Sequence, residues 1–215
     1  MNPYLSQRRF YIDNFFYSNI KNFNGRILDL GGKKINKRGS FVPPSDHNIK
    51  WLYLNNDSTT SPDYLCDANK IPTGNEYFDC IIISELLEHV ENPEKILIEA
   101  FRVLKKDGKC LITMPFLYRI HADPQDYQRW SRFKIANVCE KIGFSILDLK
   151  PMGGLFSVIH DFWLFSVTRN KKKSLSSLIN KILYRLLSPL LRFLDKKFKY
   201  LQNEITTGWS AVVQK

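Results

Sequence analysis

The sequence predicts an α/β fold, a doubly wound and mostly parallel sheet, and two observations predict it. Short apolar runs of strand length alternate with amphipathic helical stretches, the pattern of a sheet covered on both faces. The junctions between them carry turn residues in the right places: Asp107-Gly108 and Gly143 stand where helices hand over to strands. Strands are expected at 26–30, 51–55, 78–84, 109–114 and 144–149, with helices at 92–104 and 131–142 between them. A further helix is expected over 2–22, where Leu5, Phe10, Ile12, Phe15, Phe16 and Ile20 recur near helical spacing before Asn24-Gly25 stops it. The closing run from Thr206 to Gln214 reads as a last strand.

Composition narrows the class. The chain has 215 residues, 44% of them hydrophobic and 13% aromatic, enough for one domain with a substantial core and against general disorder. Cys66, Cys80, Cys110 and Cys139 lie far apart in no metal-ligand spacing, which reads as reduced thiols in a cytosolic protein. The N-terminus lacks the apolar core of a signal peptide. The most apolar stretch, 151–168, carries His160 and Asp161, which argues against a spanning helix. The net charge of +11 is unevenly placed: residues 1–150 hold 21 Lys and Arg against 18 Asp and Glu, whereas 151–215 hold 11 against 3. An anionic partner is therefore expected at the C-terminal third.

Ligands of doubly wound sheets sit beyond the C-terminal ends of the strands, so the polar residues there are the first candidates. They are Asp29, Gly31 and Gly32 after the first strand, Asp57 after the second, Asp67 and Ala68, and Ser84 and Glu85. An aspartate such as Asp57 at the end of a strand can accept from both hydroxyls of a ribose. Glu85 and His89 are four apart, but their segment supplies no third ligand, so no metal site is expected. Ser84 lacks the G-x-S-x-G setting of a hydrolase.

Four blocks together resemble the class I S-adenosylmethionine-dependent methyltransferases, in their small-molecule, type 11-like branch. They are "ILDLGG" (27–32), "DANKIP" (67–72), "EYFDCIIISELLEHVENPEKILIEAFRVLKKDGKCLITMPF" (76–116) and "IHADPQDYQRWS" (120–131). The resemblance implies a seven-stranded Rossmann-like sheet and S-adenosylmethionine as cofactor. It implies Gly31 and Gly32 against the methionine portion, Asp57 at the ribose, Asp67 and Ala68 at the adenine, and Ser84 and Glu85 as the far wall. The chain departs from the family after Gly32, where further glycines are replaced by Lys33 and Ile35 and the expected helix by a basic, Pro-containing loop. Either the loop binds the cofactor less conventionally, with Lys33, Lys34, Lys37 and Arg38 facing an acidic substrate, or cofactor binding has decayed. The intact remainder favours the first.

Methyl transfer from a sulfonium asks mainly for alignment, although a hydroxyl nucleophile benefits from a general base. His121 is the first candidate base and Asp126 the second, with Tyr127 and Arg129 as substrate contacts; loop-bonding roles compete for all of them. No Asn/Asp-Pro-Pro-aromatic run and no Pro-Cys pair follows a strand, which weakens nucleobase methylation.

Between Arg169 and Lys199 stand ten Lys and Arg and one acid, with leucines and isoleucines at three- and four-residue steps from Leu175 to Leu201. This is a basic amphipathic helix, kinked or interrupted at Pro189, inserted at 169–201 before an antiparallel last strand. It suits an anionic membrane surface, or plain packing on the sheet or on a second subunit; nucleic acid ranks third. The expected organisation is one domain over 1–215 with a helical cap at 1–25, cytoplasmic or peripheral on the inner face of the membrane. The expected activity is methylation of a hydroxyl or carboxylate on a small or lipid-linked acceptor, such as a cell-surface glycan precursor, with a homodimer left open. A non-catalytic membrane-associated protein of this fold and an RNA methyltransferase are the alternatives.

Overall fold

The computed structural model describes residues 6–21, 23–35, 39–45, 47–169 and 175–215. In chain order the elements are α1 (Gln7–Ile20), β1 (Gly25–Leu30), β2 (Ile49–Asn55), β3 (Tyr64–Leu65), β4 (Phe78–Ser84), α2 (Pro93–Val103) and β5 (Leu104–Pro115). There follow α3 (Arg132–Ile142), β6 (Ser145–Pro151), α4 (Leu155–Arg169), α5 (Leu175–Lys197) and β7 (Gly208–Gln214). The seven strands form one sheet in the order β3-β2-β1-β4-β5-β7-β6. Every pairing is parallel except those of β7, which runs antiparallel to β5 and β6. The strand order reverses between β1 and β4, and a crevice for a ligand opens there, beyond Leu30 and Ser84.

Local chemistry explains the elements. Ser6 caps α1 by accepting from the Arg9 amide, and Ser131 caps α3 through Lys134. Gly143 ends α3 in the left-handed region at φ 113°. The central strands are near-continuous aliphatic runs because helices cover both faces, and Leu28, Ile81, Ile83 and Ile112 are buried accordingly. Cys80, Cys110 and Cys139 are buried, and all four cysteines are free.

Three expectations need correction. Asp107-Gly108 does not separate a helix from a strand. β5 begins at Leu104, directly after α2, and the pair lies within an irregularity of the β4–β5 register, where Asp107 has φ 62°. Secondly, α5 lies within the insertion expected at 169–201, but a further helix, α4, precedes it after β6. Thirdly, α5 is not interrupted at Pro189, which lies within it. No described helix is long and apolar enough to cross a membrane.

The orientation of α5 is opposite to that of an ordinary surface helix. Its buried positions are Tyr184, Ser188 and Asp195, whereas Leu178, Ile182, Leu186, Leu190 and Phe193 are exposed. The apolar stripe faces outward and a polar stripe faces the protein.

Candidate active site

At the end of β1 the chain turns sharply on Gly31, whose φ of 76° suits a residue without a Cβ. The Gly31 amide donates to the Leu54 carbonyl of β2 at 2.8 Å. Asn55, the last residue of β2, donates its side-chain amide to the carbonyls of Gly31 and Gly32 at 3.0 and 3.1 Å. A Cβ on Gly32 would lie 2.3 Å from the carboxyl carbon of Asp29, so a side chain here would displace that carboxylate. A glycine turn thus stands clamped to the second strand, with its backbone open to the crevice.

Above it lies a cavity of about 1060 Å³. Its floor includes Asp29, Gly31, Gly32, Ser84 and Glu85; Arg8, Ile12 and Phe16 of α1 and Leu164 and Phe165 of α4 roof it. Tyr118 and His121, from the loop after β5, line its side. The roof and floor are joined by an ion pair: the Arg8 guanidinium binds both carboxylate oxygens of Glu85. Thr113 of β5 also donates to Glu85, at 3.1 Å. Burial alone would raise the Glu85 carboxyl, but Arg8 overrides it and holds the group below the usual carboxylate range. Glu85 itself is held at φ 51°.

Beside Glu85, the fully buried Glu88 is pushed well above the usual range, first by burial and then by the Glu85 charge. His121 is lowered by burial, so its imidazole is neutral at neutral pH. Its Nε2 stands 3.7 Å from Glu88 Oε1, and His89 Nε2 stands 3.6 Å from the same oxygen.

The sequence-derived candidates divide. Asp29, Gly31, Gly32, Lys33, Ser84, Glu85 and His121 line the cavity. Asp57 does not: it lies two residues beyond β2 and accepts from the Thr59 amide and hydroxyl, capping a short 3-10 turn. Asn55, not Asp57, ends β2, and it too lies off the cavity wall. Asp67 accepts from the Asn69 amide at 2.9 Å in an exposed turn, and Ala68 is part of the core, so neither reaches the cavity wall. Lys34 is turned to Asp63, with 2.6 Å between charges. Lys37 and Arg38 lie outside the described residues.

Asp126 is engaged by Arg129 through both guanidinium amino groups and accepts from the His121 amide at 2.9 Å. Held first by Arg129, its carboxyl falls to about 2, too weak a base to take a proton from a hydroxyl. Arg129 is correspondingly occupied and Tyr127 is an exposed loop residue; neither lines the cavity. Sequence reasoning missed Arg8, Asn55 and Glu88. Asn55 is the last residue of the strand expected at 51–55, and that position was its signal. Arg8 carried no signal beyond being a cation in an aromatic helix.

Residues 42–112 match the model of a family described as a methyltransferase domain. A ubiquinone/menaquinone biosynthesis C-methyltransferase UbiE of Nitrosospira multiformis is 30% identical over 106 residues, covering 42% of this chain and 43% of the relative. A demethylmenaquinone methyltransferase of Alkalihalophilus pseudofirmus is 24% identical over 168 residues, 64% of each chain. The chain spans less than half the length of the UbiE relatives it matches. Among solved structures, a SAM-dependent methyltransferase from Archaeoglobus fulgidus superposes with TM-score 0.59 at 15% identity, covering 96% of this chain and 94% of that one. The cyclase SpnF superposes equally well, with TM-score 0.59 at 14% identity, covering 97% and 80%. One fold therefore hosts different chemistries in these neighbours. The chain has the fold of the class I S-adenosylmethionine-dependent methyltransferases, and its residues 42–112 match the methyltransferase domain family.

Proposed function

We propose that the chain transfers a methyl group from S-adenosylmethionine to a hydroxyl or carboxylate of a small or lipid-linked acceptor. The observation that carries this reading is the glycine turn clamped by Asn55 beneath the cavity, because it leaves backbone and open space where a cofactor must approach closely. S-adenosylmethionine supplies an electrophilic methyl on a cationic sulfonium. Gly31 and Gly32 would hold it through their backbone, with Asp29 and Glu85 as the anionic groups of the floor. Asn55 would brace the glycine turn from the end of β2, where Tyr53 lines the cavity. The roof of α1 and α4 keeps water from the reacting atoms and orients the acceptor. His121, neutral and on the wall, is placed to receive a proton from a hydroxyl.

The lipid-linked part of the reading rests on α5. Its outward leucines and isoleucines are flanked by exposed Arg185, Lys196, Lys197 and Lys199, a combination suited to an anionic bilayer surface. The UbiE relatives are named for ubiquinone and menaquinone biosynthesis, which fits an acceptor of lipid character.

The test is calorimetric titration with S-adenosylmethionine and S-adenosylhomocysteine, alongside Gly32→Val. Micromolar binding by the wild type, lost in a folded variant, supports the reading; absence of binding by folded wild type overturns it. Transfer of radiolabelled methyl to a lipid extract, against a water-soluble fraction, then decides between lipid-linked and small acceptors.

A further inference from the structure

We propose that Glu88, His89 and His121 form a binding site for one divalent transition-metal ion at the wall of the cavity. Glu85 and His89 alone lack a third ligand in their segment; the fold supplies a different set by bringing His121, from the loop after β5, against Glu88 and His89. One ligand atom from each of the three residues lies within 4.8 Å of the others.

Three features point to an ion. The first is Glu88, which is fully buried while neither carboxylate oxygen has a hydrogen-bond partner. Leaving such a group unmatched is costly, and a cation between the three side chains would satisfy it. The neighbouring cations are already committed, Arg8 to Glu85 and Arg129 to Asp126.

Secondly, the separations suit coordination better than hydrogen bonding. Oε1 of Glu88 lies 3.6 Å from His89 Nε2 and 3.7 Å from His121 Nε2. Ligands at roughly 2.0–2.1 Å from a tetrahedral ion are about 3.3 Å apart, so each imidazole stands within a few tenths of an ångström of its coordinating distance from Glu88, and the two imidazole ligand atoms lie within 4.8 Å of one another.

The third feature is the orientation of the rings. His89 directs Nδ1 at the Gln125 carbonyl, 2.6 Å away. His121 directs Nδ1 at Asp126 Oδ2 and the Arg119 carbonyl, each at 3.3 Å. An oxygen acceptor behind each Nδ1 holds the proton there and leaves the Nε2 lone pair aimed at Glu88, as in metal-bound imidazoles. Two imidazoles and one carboxylate suit zinc, iron(II), cobalt or manganese better than calcium or magnesium. His89 and His121 also line the cavity, so the remaining coordination positions face it and are open to an oxygen ligand. With an ion present, His121 becomes a ligand instead of a base.

The test is titration of the metal-free, full-length chain with cobalt(II), followed by visible absorption, with zinc(II) added afterwards as competitor. The expected result is one equivalent of cobalt with ligand-field bands, displaced by zinc. Binding should weaken by at least ~tenfold in His121→Asn and in Glu88→Gln, and stay unchanged in His47→Asn, which removes an exposed imidazole. If Glu88→Gln does not fold, His121→Asn carries the test, because that ring lies on a surface loop. Absence of stoichiometric binding by the wild type overturns the site. So does equal affinity in wild type and folded His121→Asn.

Discussion

The centre of the sheet and its helical roof are held together by different forces. β1, β4 and β5 bury aliphatic side chains such as Leu28, Ile81 and Ile112. The attachments of α1, α4 and α5 include buried polar groups: Gln7, Arg8, Asp13, His160, Asp161, Ser188 and Asp195. Three carboxylates do much of the joining. Asp161 of α4 accepts from the Gln7 and Arg8 amides at 2.6 and 3.0 Å, and from the Tyr184 hydroxyl at 3.1 Å. Asp195 of α5 accepts from the Phe156 and Ser157 amides at 3.0 and 3.1 Å, near the start of α4. Asp13 accepts from the Ser40 amide at 2.7 Å. Apolar burial is non-directional and indifferent to pH, whereas bonds to buried carboxylates are directional and titrate. The roof of the cavity is therefore the part that pH and single polar substitutions can loosen while the sheet stays folded.

The largest effect expected is in the sheet. Ile81→Ala should cost about 4 kcal/mol and lower the whole cooperative transition in urea, because the cavity it leaves is walled by rigid strands. A loss under about 1 kcal/mol would show that the sheet is not the dominant core. Arg8→Met should cost about 2–3 kcal/mol, leaving Glu85 without its partner. Amide exchange should accelerate in α1 and much less in β4; equal acceleration in both would erase the distinction between roof and sheet. Asp195→Ala removes the cap of α4 and should cost about 1–2 kcal/mol by thermal melting.

Asp161 gives the pH signature. Burial first of all pushes its carboxyl from 3.8 up to about 6, against the bonds it accepts. Between those values the folded chain binds more protons than the unfolded one. This group's contribution therefore falls as pH rises through that window and is level above it, by at most about 3 kcal/mol. Asp161→Asn removes the dependence, so the deficit of the variant in melting temperature should be larger at pH 4.5 than at pH 7.5. A deficit that grows with pH would contradict the sign. The smallest effect on stability is expected at the outer face of α5, where Leu186→Glu should change it by no more than about 0.5 kcal/mol. The same substitution should release the protein from anionic vesicles, and unchanged retention would remove the membrane reading of that face.

How legible each region was follows from the same contrast. FDCIIIS at 78–84 announces a buried parallel strand on its own, and its bounds agree with β4. The start of β5 was hidden because Leu104 to Gly108 continues the helical charge pattern, while the β4 edge draws it into the sheet through an irregular register. Periodicity gave α5 its two faces but could not say which one meets the protein, since that depends on polar partners in α1 and α4. The glycine turn was legible because Gly31, at φ 76°, adopts a backbone conformation that favours glycine. The cluster of Glu88, His89 and His121 was not, because the chain between its two segments folds through α2 and β5 before returning.

The most direct test of the central claim, that the cavity between glycine turn and roof is the cofactor site, is hydrogen exchange with and without saturating S-adenosylhomocysteine. The account predicts slower exchange at residues 29–33 and 53–55 and in α1, with little change in α3. Protection confined to other segments, or none at all under saturating ligand, would contradict it.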